Sequence, residues 1–228
     1  MKTFLPVELE LEQSGETYIA GVDEAGRGCF AGPLCIGFVI LPRSAYQTLP
    51  ESLKILDDSK KLKKDKREQL YRALKDITLF QCRVFISNRI IDQCGINPST
   101  ELAISYAIQR SIKAGFHPSA VLIDGNYKFH NLYRSYPQMM FQSIVKGDAT
   151  VASIAAASIV AKVARDQRMH KLSRFFPAYH FHQHAGYGTK FHRDAIQKYG
   201  PSRLHRMSYN IMETKNGEQD KNLLEFQQ

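Results

Sequence analysis

Acidic side chains stand where apolar runs end: the adjacent Asp23 and Glu24 after residues 18–22, Asp124 after residues 119–123, and Asp148 just beyond residues 139–145. Carboxylates supply hard oxygen ligands, so acids drawn to one point would hold divalent cations such as Mg2+ or Mn2+. Without cations they would repel one another and take up protons. A centre with two such ions can activate water and stabilise a departing oxygen, which is the chemistry of phosphodiester hydrolysis. Each acid also has a plainer reading. Asp23 can form a turn, Asp124-Gly125 is a strong turn signal, and Asp148 can cap a helix.

Directly after the first acids comes Gly26-Arg27-Gly28. Glycines on both sides open positive φ to the backbone and let a ligand approach it closely, while Arg27 has the reach and planar fork for phosphate. A dinucleotide-binding glycine loop would need a helix straight after the turn, with a pyrophosphate at its N-terminus. Instead Pro33 leads into LCIGFVIL, which reads as a second strand. Tyr187, between Gly186 and Gly188, offers a ring for stacking on a sugar or base; its alternative is a tyrosine packed beneath a loop. His180, His182 and His184 alternate and would share one strand face, but no clear fourth ligand completes a zinc site.

The formal charge of +9 over 228 residues favours a polyanionic partner. Between Lys162 and Arg206 the basic residues are opposed only by Asp166 and Asp194, and a second run, KKLKKDKR, begins at Lys60. Two basic clusters around an acidic centre suggest a groove, with Lys60, Lys61, Lys162 and Arg165 as phosphate contacts. The competing reading is a solvated helix face. Apolar runs are too short to span a bilayer, and residues 1–13 are acidic rather than the basic start of a signal segment. A soluble, cytoplasmic monomer without a membrane partner is expected. Cys29, Cys35, Cys82 and Cys94 form no C-x-x-C pair and read as reduced thiols.

Positioning these acids calls for an α/β domain. Strands are expected at residues 18–22, 34–41, 79–86, 119–123 and 139–145, with residues 41–58 as a loop. Helices are expected after a cap at Asp58 or Ser59, from Asn97-Pro98 to Gly115, and from Ala149 onward. The last has a face of small residues, Ala152, Ala155, Ala156, Ala161 and Ala164, that lets it approach a sheet closely. One domain, catalytic if the acids converge, is expected over residues 1–228, with a core at about 17–172, a basic C-terminal segment at about 173–209 expected to bind substrate, and a polar tail at about 210–228. Neighbouring strand residues face opposite sides, so Asp23 and Glu24 can converge only if the chain bends there.

The ordered motifs VDEAGRG, DSKKL at residues 58–62, Asp124-Gly125, KGD at 146–148, ASIAAASIVAKVARD, GYGT at 186–189 and HRMSY at 205–209 resemble those of bacterial ribonuclease HII, the type 2 ribonuclease H family. The resemblance runs through nearly everything between Tyr18 and Tyr209. It implies a ribonuclease H-like five-stranded mixed sheet flanked by helices, with a helical C-terminal extension. Asp23, Glu24, Asp124 and Asp148 are implied as ligands of two Mn2+ or Mg2+ ions, and Asp23 is our choice for the ligand shared by both. Gly26, Arg27 and Gly28 are implied to read the ribose 2'-hydroxyl at an RNA–DNA junction, and Tyr187 to stack on the next, deoxy sugar.

The implied reaction is cleavage of the RNA strand of RNA–DNA hybrids and of duplex DNA on the 5' side of embedded ribonucleotides, leaving 3'-hydroxyl and 5'-phosphate ends. The implied partners are those nucleic acids and a replication or repair protein. The sister family, ribonuclease HIII, usually lacks Arg in the turn and carries an N-terminal domain, for which the stretch before Tyr18 is expected to leave no room. Cys29-Phe30 replaces the more usual Pro-Leu, and Tyr209 a common Phe; both are expected to affect loop packing. A non-catalytic nucleic-acid-binding module would explain the charge but not the acids. A DNA nuclease on the same fold would explain the acids but not the G-R-G turn with Tyr187.

Overall fold

The structure, a computed structural model, describes residues 7–48 and 63–212. One mixed sheet is built from β1 (Ile19–Ala25), β2 (Leu34–Ile40), β3 (Phe80–Ile86), β4 (Ala120–Asp124) and β5 (Met140–Ile144), in the order β3-β2-β1-β4-β5. β1–β2 and β2–β3 pair antiparallel, while β1–β4 and β4–β5 pair parallel. Every residue of β2 is buried, as its unbroken apolar sequence requires of a strand covered on both faces.

The helices are α1 (Val7–Gln13), α2 (Arg43–Gln47), α3 (Lys64–Ile77), α4 (Asn88–Cys94), α5 (Ile96–Lys113), α6 (His130–Ser135), α7 (Gly147–Thr150), α8 (Ala152–Ser173), α9 (Phe181–His184) and α10 (Lys190–Tyr199). On one face of the sheet Ala20, Val22, Val121 and Ile123 pack with Ile104, Ala107 and Ile108 of α5. On the other, α8 lies unusually close. A Cβ on Gly21 would stand 2.1 Å from the Ser153 carbonyl carbon, and one on Gly37 the same distance from the Ala157 oxygen. The small face of α8 and these two strand glycines are two sides of one contact. It brings the polar residues of the helix within reach of β1.

Several boundaries differ from the sequence reading, for local reasons. The expected loop at 41–58 contains α2, and its later part, with the proposed caps Asp58 and Ser59, lies outside the described residues. α5 begins at Ile96 behind Gly95, whose φ of 82° makes the turn, so Asn97 sits inside the helix and not at its cap. The helix expected from Ala149 is interrupted at Val151, where the backbone is extended (φ −123°, ψ 126°), and splits into α7 and α8. After α8, a single turn at Pro177–Tyr179 and then α9 and α10 close a separate apolar cluster that includes Ala31, Met169, Phe181 and Ile196. Among the described residues no helix is long and apolar enough to cross a membrane.

Candidate active site

The parallel pairing of β1 with β4 runs in register to Val22↔Ile123. One residue further along both strands stand Asp23 and Asp124, on the face that looks toward α8. Two residues beyond β5, the left-handed Lys146 (φ 57°) turns the chain into α7, which returns Asp148 to the strand ends. Carboxylate oxygens of Asp23, Asp124 and Asp148 lie within 4.8 Å of one another. The Asp148 N–H donates to Asp124 Oδ1 at 3.3 Å.

Burial pushes the Asp23 carboxyl well above the usual carboxylate range, and the charges of Glu24 and Asp124 push it further. The Ser158 hydroxyl of α8 and the Glu24 N–H, at 2.7 Å, oppose that shift by hydrogen-bonding the charged form. An all-oxygen donor set of mutually repelling carboxylates fits a hard divalent cation, whose charge relieves both the burial and the repulsion.

Glu24 is arranged differently. β1 stays paired with β2 through Glu24↔Ile36 and Ala25↔Cys35, so the bend that would unite the two acids is absent and the pleat sends Glu24 to the opposite face from Asp23. Its carboxylate lies 3.9 Å from Arg27 and accepts a hydrogen bond from the Tyr127 hydroxyl. It is outside the three-aspartate group, although close enough for its charge to act on Asp23.

In the G-R-G turn only Gly26 uses positive φ, at 90°, and a Cβ there would overlap the Arg165 guanidinium that passes beneath it. Gly28 has open space around it, which leaves its backbone approachable. The Arg27 guanidinium hydrogen-bonds the Asn97 side chain and lies 4.3 Å above the Tyr127 ring. Neither Asn97 nor Tyr127 stood out in the sequence. Asn97 was hidden because Asn before Pro reads first as a cap.

Arg165 is a correction to the expected phosphate contacts. It is 1% exposed, and its guanidinium donates to the carbonyls of Pro33 (2.9 Å), Ala185 (2.8 Å) and Ala31 (3.2 Å), so it braces loops and does not face a ligand. Lys162 is paired with Asp166 at 2.8 Å and sits 5.6 Å from the centre of the Tyr187 ring. Together with Lys64, Arg67, Lys171, Arg174 and Tyr187 it lines an open groove of about 1000 Å³. Lys60 and Lys61 lie outside the described residues.

Tyr187 is 41% exposed. Its flanking glycines serve close packing as much as exposure. A Cβ on Gly186 would stand 2.3 Å from the Ala31 oxygen, and one on Gly188 would stand 2.5 Å from the Phe30 ring. The unusual Cys29-Phe30 thus forms the bed of the tyrosine loop, with the buried Cys29 thiol in hydrogen-bond contact with the Tyr187 side chain. The alternating histidines form no strand face. They fall in α9 and just before it, where His182 Nδ1 meets the Ser173 hydroxyl and His184 Nε2 meets the Tyr179 carbonyl, both at 2.9 Å. That geometry removes the basis for a zinc site.

The family model for ribonuclease HII matches residues 20–212. Ribonuclease HII of Endomicrobium trichonymphae is 42% identical over 191 residues, covering 84% of each chain. The enzyme of the same name from Bacillus mycoides (strain KBAB4) is 43% identical over 202 residues, covering 89% of this chain and 72% of that one. Among solved structures, ribonuclease H2 from Pyrococcus horikoshii OT3 superposes with a TM-score of 0.70 at 25% identity, covering 86% of this chain and 95% of the other.

Proposed function

The chain belongs to the ribonuclease HII family of metal-dependent ribonucleases H, and from that premise we propose that it cuts the RNA strand of hybrids and duplex DNA on the 5' side of an embedded ribonucleotide. The observation that carries this reading is the meeting of Asp23, Asp124 and Asp148 within 4.8 Å, one turn of chain away from Gly26-Arg27-Gly28.

Asp23, Asp124 and Asp148 would hold divalent ions, with Glu24 contributing from the other side of the strand end. When bound, a pair of Mg2+ or Mn2+ ions supplies a water-derived nucleophile and stabilises the departing 3'-oxygen, which leaves 3'-hydroxyl and 5'-phosphate ends. The Ser158 hydroxyl and the Glu24 amide favour the charged form of Asp23, the form able to bind a cation. Backbone at Gly26 and Gly28 reads the 2'-hydroxyl, the group that distinguishes RNA from DNA. Among the described residues Arg27 Nη1 has no hydrogen-bond partner and only the Glu24 carboxylate beside it at 3.9 Å, so a small movement of the side chain would let it take a phosphate oxygen of the substrate. The exposed Tyr187 ring takes the neighbouring deoxy sugar, and the basic groove beyond it, lined by Lys162, carries the rest of the duplex. An interaction with a replication or repair protein belongs to the same proposal.

The test compares matched duplexes with Mn2+ or Mg2+: continuous hybrid, DNA with one embedded ribonucleotide, and all-DNA. Cutting of the first two with 5'-phosphate products, and none of the third, is the expected result. Cutting of all-DNA duplex at a similar rate would identify a DNA nuclease, and binding without cutting would identify a non-catalytic module.

A further inference from the structure

His205 and Arg206 are adjacent and fully buried, and each reaches a different one of the loops that the proposed function assigns to substrate reading. Arg206 Nη1 donates to the Arg27 carbonyl at 2.7 Å, and its Nε and Nη2 donate to the Gly32 carbonyl at 3.1 and 3.0 Å. The Tyr209 hydroxyl, which accepts from Arg206 at 3.0 Å, donates to the same Arg27 carbonyl at 2.6 Å. The G-R-G turn is therefore fastened from below at the peptide that follows its arginine.

His205 points the other way, and the geometry determines its tautomer. The Ser202 N–H lies 2.8 Å from His205 Nδ1, closer than the Ser202 carbonyl at 3.2 Å, and the Tyr187 carbonyl at the far end of the chain can only accept, so His205 Nδ1 carries no proton. Nε2 then holds the proton and donates to His192 Nε2 at 3.0 Å. This leaves His192 Nδ1 as the donor to the Tyr187 carbonyl at 2.9 Å. Three hydrogen bonds in one direction thus run from Ser202 to the backbone of the stacking tyrosine. The dipeptide is itself pinned from α4, where Asn88 Nδ2 donates to the His205 carbonyl at 3.0 Å.

We propose that His205 and Arg206 are a positioning pair that sets the spacing between the G-R-G turn and Tyr187, and with it the preference for a single embedded ribonucleotide over continuous hybrid. The two loops must be read together only at an RNA–DNA junction, where one sugar bears the hydroxyl and the next does not. In a continuous hybrid every sugar of the cut strand is ribose, and Tyr187 has no deoxy sugar to select. Displacing the Tyr187 arm therefore acts on the ratio of the two activities. Displacing the G-R-G arm acts on both together. The inference rests on the proposed function, and the experiment separates the two.

The measurement is kcat/KM on the embedded-ribonucleotide duplex divided by kcat/KM on hybrid. His205→Asn keeps an acceptor for Ser202 but is too short to reach His192, and is expected to lower the ratio roughly tenfold, since small displacements of positioning groups cost rate steeply. His205→Gln, long enough to donate to His192, is expected to restore most of it. Tyr209→Phe is expected to lower both activities with the ratio kept within about twofold. Should His205→Asn fail to fold, His192→Leu breaks the same link and is expected to give the same loss of ratio. A folded His205→Asn or His192→Leu protein with the wild-type ratio overturns the positioning role and leaves the proposed function standing. Failure of the wild-type protein to cut at an embedded ribonucleotide overturns both.

Discussion

Acidification should damage this fold first at the His192–His205 pair. Both imidazoles are buried, and each pKa falls from 6.5 to about 4, chiefly because burial disfavours the cation. Between those values the unfolded chain takes up protons that the native chain refuses, so the stability is fully present above pH 6.5 and is lost as the pH falls toward 4. The fall from 6.5 to about 4 is worth roughly 3 kcal/mol for each imidazole taken alone. The two share a hydrogen bond at 3.0 Å, so their titrations are coupled and the amounts do not simply add. A loss of about 3–5 kcal/mol for the pair is the expected size, a large part of the 5–15 kcal/mol typical of a folded domain. Urea unfolding at pH 7 and pH 4.5 measures it, with a His192→Gln/His205→Gln double variant as the reference that lacks both imidazoles. The wild-type protein should lose about 3 kcal/mol more than the variant between the two pH values. Equal losses would refute the reasoning, as would a magnetic resonance titration placing either imidazole near 6.5 in the folded protein.

Asp23→Asn removes a carboxylate whose charged form is disfavoured by burial, so without divalent ions the variant should melt above the wild type near pH 7, while the rise in melting temperature caused by Mn2+ shrinks and cutting falls roughly a hundredfold or more. A wild-type response to Mn2+ in that variant would remove Asp23 from the metal centre. Gly37→Ala drives a Cβ to 2.1 Å from the Ala157 oxygen and should cost about 1–3 kcal/mol or more in urea unfolding, because α8 must lift from the sheet. Arg165→Met should cost about 3 kcal/mol of stability by leaving one buried and two part-buried carbonyls without their donor, with the salt dependence of nucleic-acid binding unchanged. Lys162→Ala should leave stability almost untouched and make the slope of binding against salt shallower by about one. A reversed pattern between these last two would restore Arg165 as a phosphate contact.

The strands were legible because burial on both faces leaves a signature no surface segment shares: residues 34–40 contain nothing polar beyond one thiol. The ends of those strands located the acids for the same reason, since a carboxylate terminating such a run needs some compensation. The break at Val151 was not legible, because Ala149, Thr150, Val151 and Ala152 all tolerate a helix. Arg165 was misread because a buried arginine and a surface arginine look alike in a basic stretch. What distinguishes them is that Gly26 and Pro33 from one loop and Ala185 from a distant one close around one guanidinium. The His205–His192–Tyr187 chain was invisible for a related reason. A hydrogen-bond chain across loops has no period, and its members declare themselves only by distance.

Asp23 and Glu24 show why pattern alone could raise the question of convergence but could not answer it. A carboxylate pair on one strand is split by the pleat unless a bulge intervenes, and continuous pairing of β1 with β2 through Ala25 leaves no place for one. The consequence is a division of surroundings between neighbours. Asp23 faces α8 and the aspartates of β4 and α7, while Glu24 faces Arg27 and Tyr127. A single peptide bond therefore joins the acidic centre to the side of the strand that holds the G-R-G arginine. Any shift of β1 along its neighbours would disturb both at once, and the close seating of α8 on Gly21 and Gly37 opposes such a shift, so loosening it is expected to lower cutting as well as stability.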